Sequence, residues 1–121
     1  MDPLADAASS LGAPVIGDGK AHATATFSAT LPVFAGHFPG NPLVPGVHHV
    51  ALIAHLARLA LSLPELRITG IERCKWLRPL LPDQALTVEV TWRPDGDDWR
   101  IDGVLRDGVA VACQVRLRLG R

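Results

Sequence analysis

The chain has little cysteine, no net charge, no internal repeat and no long uninterrupted apolar run. Its two cysteines, Cys74 and Cys113, lie far apart without a CxxC or Cys/His spacing. A disulfide framework or a metal site is therefore not expected, and both are read as small buried side chains. Twelve basic residues cancel twelve acidic ones, which excludes the global field that gathers nucleic acid or an anionic membrane. Any charged partner must be met by a local patch. The opening stretch, MDPLADAASSLGAP, lacks a basic segment followed by a long apolar one, which argues against a signal peptide and makes the cytoplasm the expected location. From Val47 to Leu63 the apolar pattern is interrupted by His48, His49, His55 and Arg58. That segment is too short and too polar to span a bilayer comfortably, so it is expected inside protein.

What is present describes an ordinary folded domain: 48% hydrophobic and 20% charged residues in a chain of 121. Residues 1–19 are set apart as an N-terminal extension holding a short helical turn around Leu4 to Leu11, and 20–121 as one domain. So small a body has a high surface-to-volume ratio, and burying a long apolar helix in it is easier if two copies share the task.

From Lys20 to Ser28 the pattern alternates, with Ala21, Ala23, Ala25 and Phe27 on one face and His22 on the solvent side, as a half-buried strand requires. Between Pro32 and Pro45 no regular element is expected, because Pro39, Pro42 and Pro45 fix their own φ and bias their predecessors toward extended geometry. Pro45 suits a helix start, and Pro64 stops that helix near Leu63. A strand-like run follows from Leu66 to Leu80, with Gly70 as a bend or bulge. Leu86, Val88, Val90 and Trp92 share one face of the next strand. Pro94-Asp95-Gly96 and Asp107-Gly108 mark turns, and the last strand is expected to place Val109, Val111, Cys113, Val115, Leu117 and Leu119 on one face. One helix preceded by one strand and followed by four gives an α+β chain, an antiparallel sheet wrapped round a central helix.

The organising stretch is FAGHFPGNPLVPGVHHVALIAH, from Phe34 to His55: a glycine- and proline-rich loop holding His37 and leading directly into the apolar helix. Within it, GHFPGNPLVPGV (36–47) resembles the GHFPxxPxxPGV signature of the FabZ/FabA group of 3-hydroxyacyl-[acyl-carrier-protein] dehydratases. IERCKWLRPLLPDQALTVEV (71–90) is similar to that family's strand–turn–strand after the helix, and WRIDGVLRDGVAVACQVRL (99–117) to its last hairpin. The resemblance covers roughly residues 20–119 and implies a hotdog fold, an obligate dimer whose sheets join edge to edge, and active sites between subunits. It implies no cofactor. The partners it implies are an acyl carrier protein bearing a phosphopantetheine-linked acyl chain and a second dehydratase chain, identical or paralogous.

Removing water from a 3-hydroxyacyl thioester needs a base for the C2 proton, a holder for negative charge on the thioester oxygen, and an acid for the departing hydroxide. The resemblance puts His37 at the base. Free N–H groups at the first helical turn, at Gly46 and Val47, suit the oxyanion. The family's acid falls at position 51, which is Ala51 here, and the family's Gln four residues later is His55. On a helix, positions 48, 51 and 55 share a stripe, so His48 and His55 are expected to flank the missing acid as possible substitutes, while His49 is expected to point elsewhere. A substrate tunnel is expected from Phe34, Phe38, Leu43, Val44 and Trp76. Arg67, Arg73, Lys75 and Arg78 form a basic patch suited either to carrier-protein docking or to ordinary solvation. Three functions compete: a dehydratase active alone, a catalytically degenerate subunit paired with a paralogue that carries the acid, and a hotdog thioesterase or acyl-binding protein.

Overall fold

The computed structural model describes residues 2–35 and 43–121. His37 and Phe38, and the rest of the segment 36–42, lie outside the described residues.

The elements in chain order are helix α1 (Pro3–Ser10), strands β1 (Val15–Ile16) and β2 (Lys20–Ala25), a short 3-10 turn (Pro32–Phe34), helix α2 (Gly46–Leu61), and strands β3 (Arg67–Trp76), β4 (Leu86–Asp95), β5 (Asp98–Asp107) and β6 (Ala110–Gly120). The strands form one antiparallel sheet in the order β1-β2-β4-β5-β6-β3. The sheet curls round α2, the α+β hotdog arrangement that the resemblance implies.

α2 is buried because its sequence is apolar almost all round. Leu52, Ile53 and Leu56 are fully inaccessible and share one core with Val88 of β4, Ile101 and Leu105 of β5, and Leu117 and Leu119 of β6. Against β5, Ile53 fills the space a side chain at Gly103 would need. The helix ends at Ser62, which takes the left-handed conformation (φ 56°). The Leu63 N–H then bonds back to the Arg58 carbonyl at 3.1 Å, satisfying an otherwise orphaned end group. No helix among the described residues is long and apolar enough to cross a membrane.

Several sequence expectations need correction. The 3-10 turn at Pro32–Phe34 occupies a stretch expected to hold no regular element. The helical turn expected around Leu4 to Leu11 is present as α1, which packs on α2 with Ala7 fully buried, while β1, which pairs with β2 through Val15–His22 and Ile16–Ala21, is a strand not expected there. The run expected to continue to Leu80 leaves the sheet after Trp76, where the N–H groups of Leu77 and Arg78 both donate to the Ala112 carbonyl. The β5–β6 register slips by one residue there: Leu105 faces Cys113, but Arg106 faces Val111. This bulge at Ala112 puts Val111 on the opposite face from Cys113. Val109 stands in the turn, 95% exposed. The expected irregularity near Gly70 is present as a register shift between Ile68 and Gly70.

Candidate active site

A cavity of about 870 Å³ opens at the N-terminal end of α2. Its floor is the first helical turns, Gly46, Val47, His49, Val50 and Ala51; one wall comes from β3 and the segment after it; the rim comes from Asp2, Pro3 and Leu4. The approach to the helix is fixed by the Val44 N–H, which donates to the Leu80 carbonyl at 2.8 Å. Pro45 is the N-cap and offers no side-chain hydrogen bond; the His48 N–H donates to the Pro45 carbonyl at 2.9 Å, and among the described residues the Gly46 and Val47 amides have no hydrogen-bond acceptor. Gly46 is the residue that keeps this end open. A Cβ there would stand 3.1 Å from Cη2 and Cζ2 of Trp76, whose indole lies across the helix end.

Of the tunnel residues expected from the sequence, Leu43, Val44 and Trp76 line this cavity. Phe34 packs against the core instead, and Phe38 lies outside the described residues, as does His37. Ala51 is buried and forms part of the wall. It places a methyl group where the resemblance expects a carboxylate. The carboxylate at the cavity, Asp2, is exposed and caps α1 by accepting from the Ala5 N–H at 3.1 Å.

The histidines are arranged differently from the stripe reading. At 100° per residue, His48 and His55 sit roughly 60° and 40° beyond Ala51 on the helix, and neither lines the cavity. His48 is fully buried on the far side, edge-on to Phe27, with Nε2 2.9 Å from Asp6 Oδ2 of α1. A carboxylate only accepts, so Nε2 carries the hydrogen of that bond. His55 is partly exposed and its pKa is lowered, by burial first and by Arg58 second.

His49, expected to point elsewhere, is in the cavity wall. It is 4% exposed, and its ring meets Trp76 edge-on with centroids 5.1 Å apart. Among the described residues neither ring nitrogen has a hydrogen-bond partner of good geometry. A buried polar atom left unpaired costs about 1–3 kcal/mol, so its environment selects the neutral ring. Burial drives the pKa down to about 4; a backbone contact with Val44, lacking good hydrogen-bond geometry, opposes this, and the neighbouring His48 adds to it. A helical wheel centred on Gly46 would have found it, since His49 and Val50 fall either side of that residue.

Two cavity residues bear on other chemistries. Cys74, expected to be buried, is exposed, in contrast to the buried Cys113; partial desolvation at the cavity raises its thiol pKa, which makes it a poor nucleophile at neutral pH. Among the described residues no group of three His, Cys, Asp or Glu side chains is spaced to hold a metal ion. Of the basic patch, Arg67, Arg73, Lys75 and Arg78 are all exposed, and Arg78 both lines the cavity and pairs with Asp107 at 3.1 Å.

A curled sheet round an apolar helix, with a cavity at the helix N-terminus, defines a hotdog protein. Residues 15–111 match the ApeI-like family, described as ApeI dehydratase, and the chain belongs to that family. It is 34% identical over 97 residues to the 3-hydroxyacyl-[acyl-carrier-protein] dehydratase FabZ of Polaromonas sp., covering 71% of this chain and 66% of that one. To FabZ of Alkaliphilus metalliredigens it is 39% identical over 69 residues, covering 52% and 47%. The alignments thus span about half to two thirds of these relatives. Among solved structures it is similar to the dehydratase heterocomplex ApeI:P from Xenorhabdus doucetiae, with a TM-score of 0.74, 27% identity, and coverage of 92% of this chain and 96% of that one.

Proposed function

We propose that this chain is a subunit of a dehydratase that removes water from a 3-hydroxyacyl thioester carried on an acyl carrier protein in the cytoplasm. His37 takes the C2 proton, and the amides of Gly46 and Val47 hold the charge that develops on the thioester oxygen. The C3–O bond then breaks, and the departing hydroxide takes a proton from an acid and leaves as water. The acyl chain lies along the apolar walls from Leu43 to Trp76. The exposed cations Arg67, Arg73 and Lys75 receive the acidic carrier.

The observation that carries this reading is Ala51 in the cavity wall. The site has an open helix end but no acid of its own at that position. This favours a heterodimer in which a paralogous chain brings the carboxylate, and the similarity to a dehydratase heterocomplex supports it. The surface for a second chain is the free edge of β3. Ile71, Trp76 and Leu77 stand about half-exposed along it, with Val47 nearby on α2. Such an apolar open edge calls for a partner.

The test is dehydration of a 3-hydroxyacyl thioester by the purified chain, alone and mixed with a co-expressed paralogue. Turnover in the mixture well above that of the chain alone supports the heterodimer. Native mass measurement showing only separate homodimers would refute it. Thioester hydrolysis that survives loss of His37 would instead point to a thioesterase.

A further inference from the structure

Adjacent histidines on α2 are treated in opposite ways by the fold. His48 is buried and is given Asp6; His49 is buried in the cavity wall and, among the described residues, is given only a poorly aligned backbone contact with Val44. Native structures rarely leave both polar atoms of a ring unpaired, and the other cavity residues near His49 on α2 are Gly46, Val50 and Ala51, none of which has a polar side-chain atom to offer. The Trp76 indole meets the ring at its edge and is itself half-exposed at the cavity. His49 follows Gly46 by three residues, about 4.5 Å of helix rise. A ligand whose carbonyl rests on the first-turn amides therefore extends its next functional group toward this ring.

We propose that His49 recognises the 3-hydroxyl group of the acyl thioester, accepting from its O–H through one ring nitrogen or donating to its oxygen through the other. A neutral imidazole has one donor and one acceptor, as a hydroxyl has, whereas an unsubstituted acyl chain has nothing to pair with it. The ring's environment keeps it neutral, so it serves as a substrate-binding and specificity-determining residue and leaves the proton donation to another group. This inference rests on the acyl-thioester reading above and adds the residue that distinguishes a hydroxyacyl from a plain acyl chain.

The test uses the full chain paired with the co-expressed paralogue proposed above and two stable ligands, 3-hydroxyoctanoyl-pantetheine amide and octanoyl-pantetheine amide, with affinities measured by titration calorimetry. The hydroxylated ligand should bind the wild-type protein roughly three- to ten-fold more tightly, the worth of one neutral hydrogen bond. His49→Leu should remove that preference while leaving the octanoyl affinity within about two-fold, and His49→Gln should keep part of it. Independently of any variant, the nitrogen-15 resonances of the His49 ring should move with the hydroxylated ligand and not with the plain one. Equal affinity of the two ligands for wild type, or ring resonances that stay still, overturns the assignment alone. Failure of both ligands to bind overturns the acyl-thioester reading as well.

Discussion

The two sides of α2 near its N-terminus do different work. On the side of His48, every feature closes the structure: α1 covers the helix, Asp6 occupies the ring's Nε2, and Phe27 packs edge-on. On the side of His49, the structure is held open, with Gly46 lacking a side chain, the N-cap Pro45 making no side-chain hydrogen bond, Ala51 short, and an imidazole without a well-aligned partner among the described residues. One residue of displacement along a helix, about 100° of rotation, separates a stabilising pair from a binding group. Damage to the His48 side should therefore appear as lost stability, and damage to the cavity side as lost function.

The largest expected effect falls on the proposed base. His37→Ala should lower dehydration by about 10²–10⁴-fold, the range for removing a general base, with little change in thermal melting. An unchanged rate would remove His37 from the chemistry. Next is a pH effect on the stability of the folded chain, centred on His49. Between the ordinary histidine value of 6.5 and the folded value of about 4, the unfolded chain takes up a proton that the folded ring resists. Stability is thus full above 6.5 and falls as the pH drops through that window, by up to about 3 kcal/mol. Urea melts across this range should show the loss in wild type and a flatter profile in His49→Leu. An identical profile in both would place the titrating group elsewhere.

On the closed side, Asp6→Ala leaves His48 buried with neither nitrogen paired. It should cost about 1–3 kcal/mol in denaturant melts while the affinity for an acyl-pantetheine ligand changes little. A large affinity loss without destabilisation would erase the contrast between the two sides. The smallest effect is expected from Gly46→Ala. The gain in helix propensity and the crowding of Trp76 nearly offset, leaving stability within about 1 kcal/mol of wild type. Tryptophan fluorescence should nevertheless shift as the indole is displaced.

Much of this architecture is legible in the residues. Alternation in Ala21, Ala23 and Ala25 and in Leu86, Val88 and Val90 gives buried faces, and the all-round apolar pattern after Pro45 gives a central helix with its end in nearly the expected place. The failures have one physical cause: local pattern does not specify what a neighbouring element imposes. Val111 leaves the face of Cys113 because β6 bulges against β5 at Ala112. Strand β1 is too short to show a period and exists through its pairing with β2. A helical wheel correctly groups His48, Ala51 and His55, but only the docking of α1 on one side and Trp76 on the other decides which arc meets the cavity. The motif around His37 and the replaced acid at Ala51 are readable by resemblance; the opposite environments of His48 and His49 are not.

The central claim is that the chain supplies the open half of a dehydratase site and lacks its own acid at position 51. It is tested most directly by restoring that acid. Ala51→Glu, assayed as the pure chain on a 3-hydroxyacyl thioester beside wild type, should raise turnover by about 10²-fold or more. A wild-type chain already fully active alone, with no gain from Ala51→Glu, would contradict it.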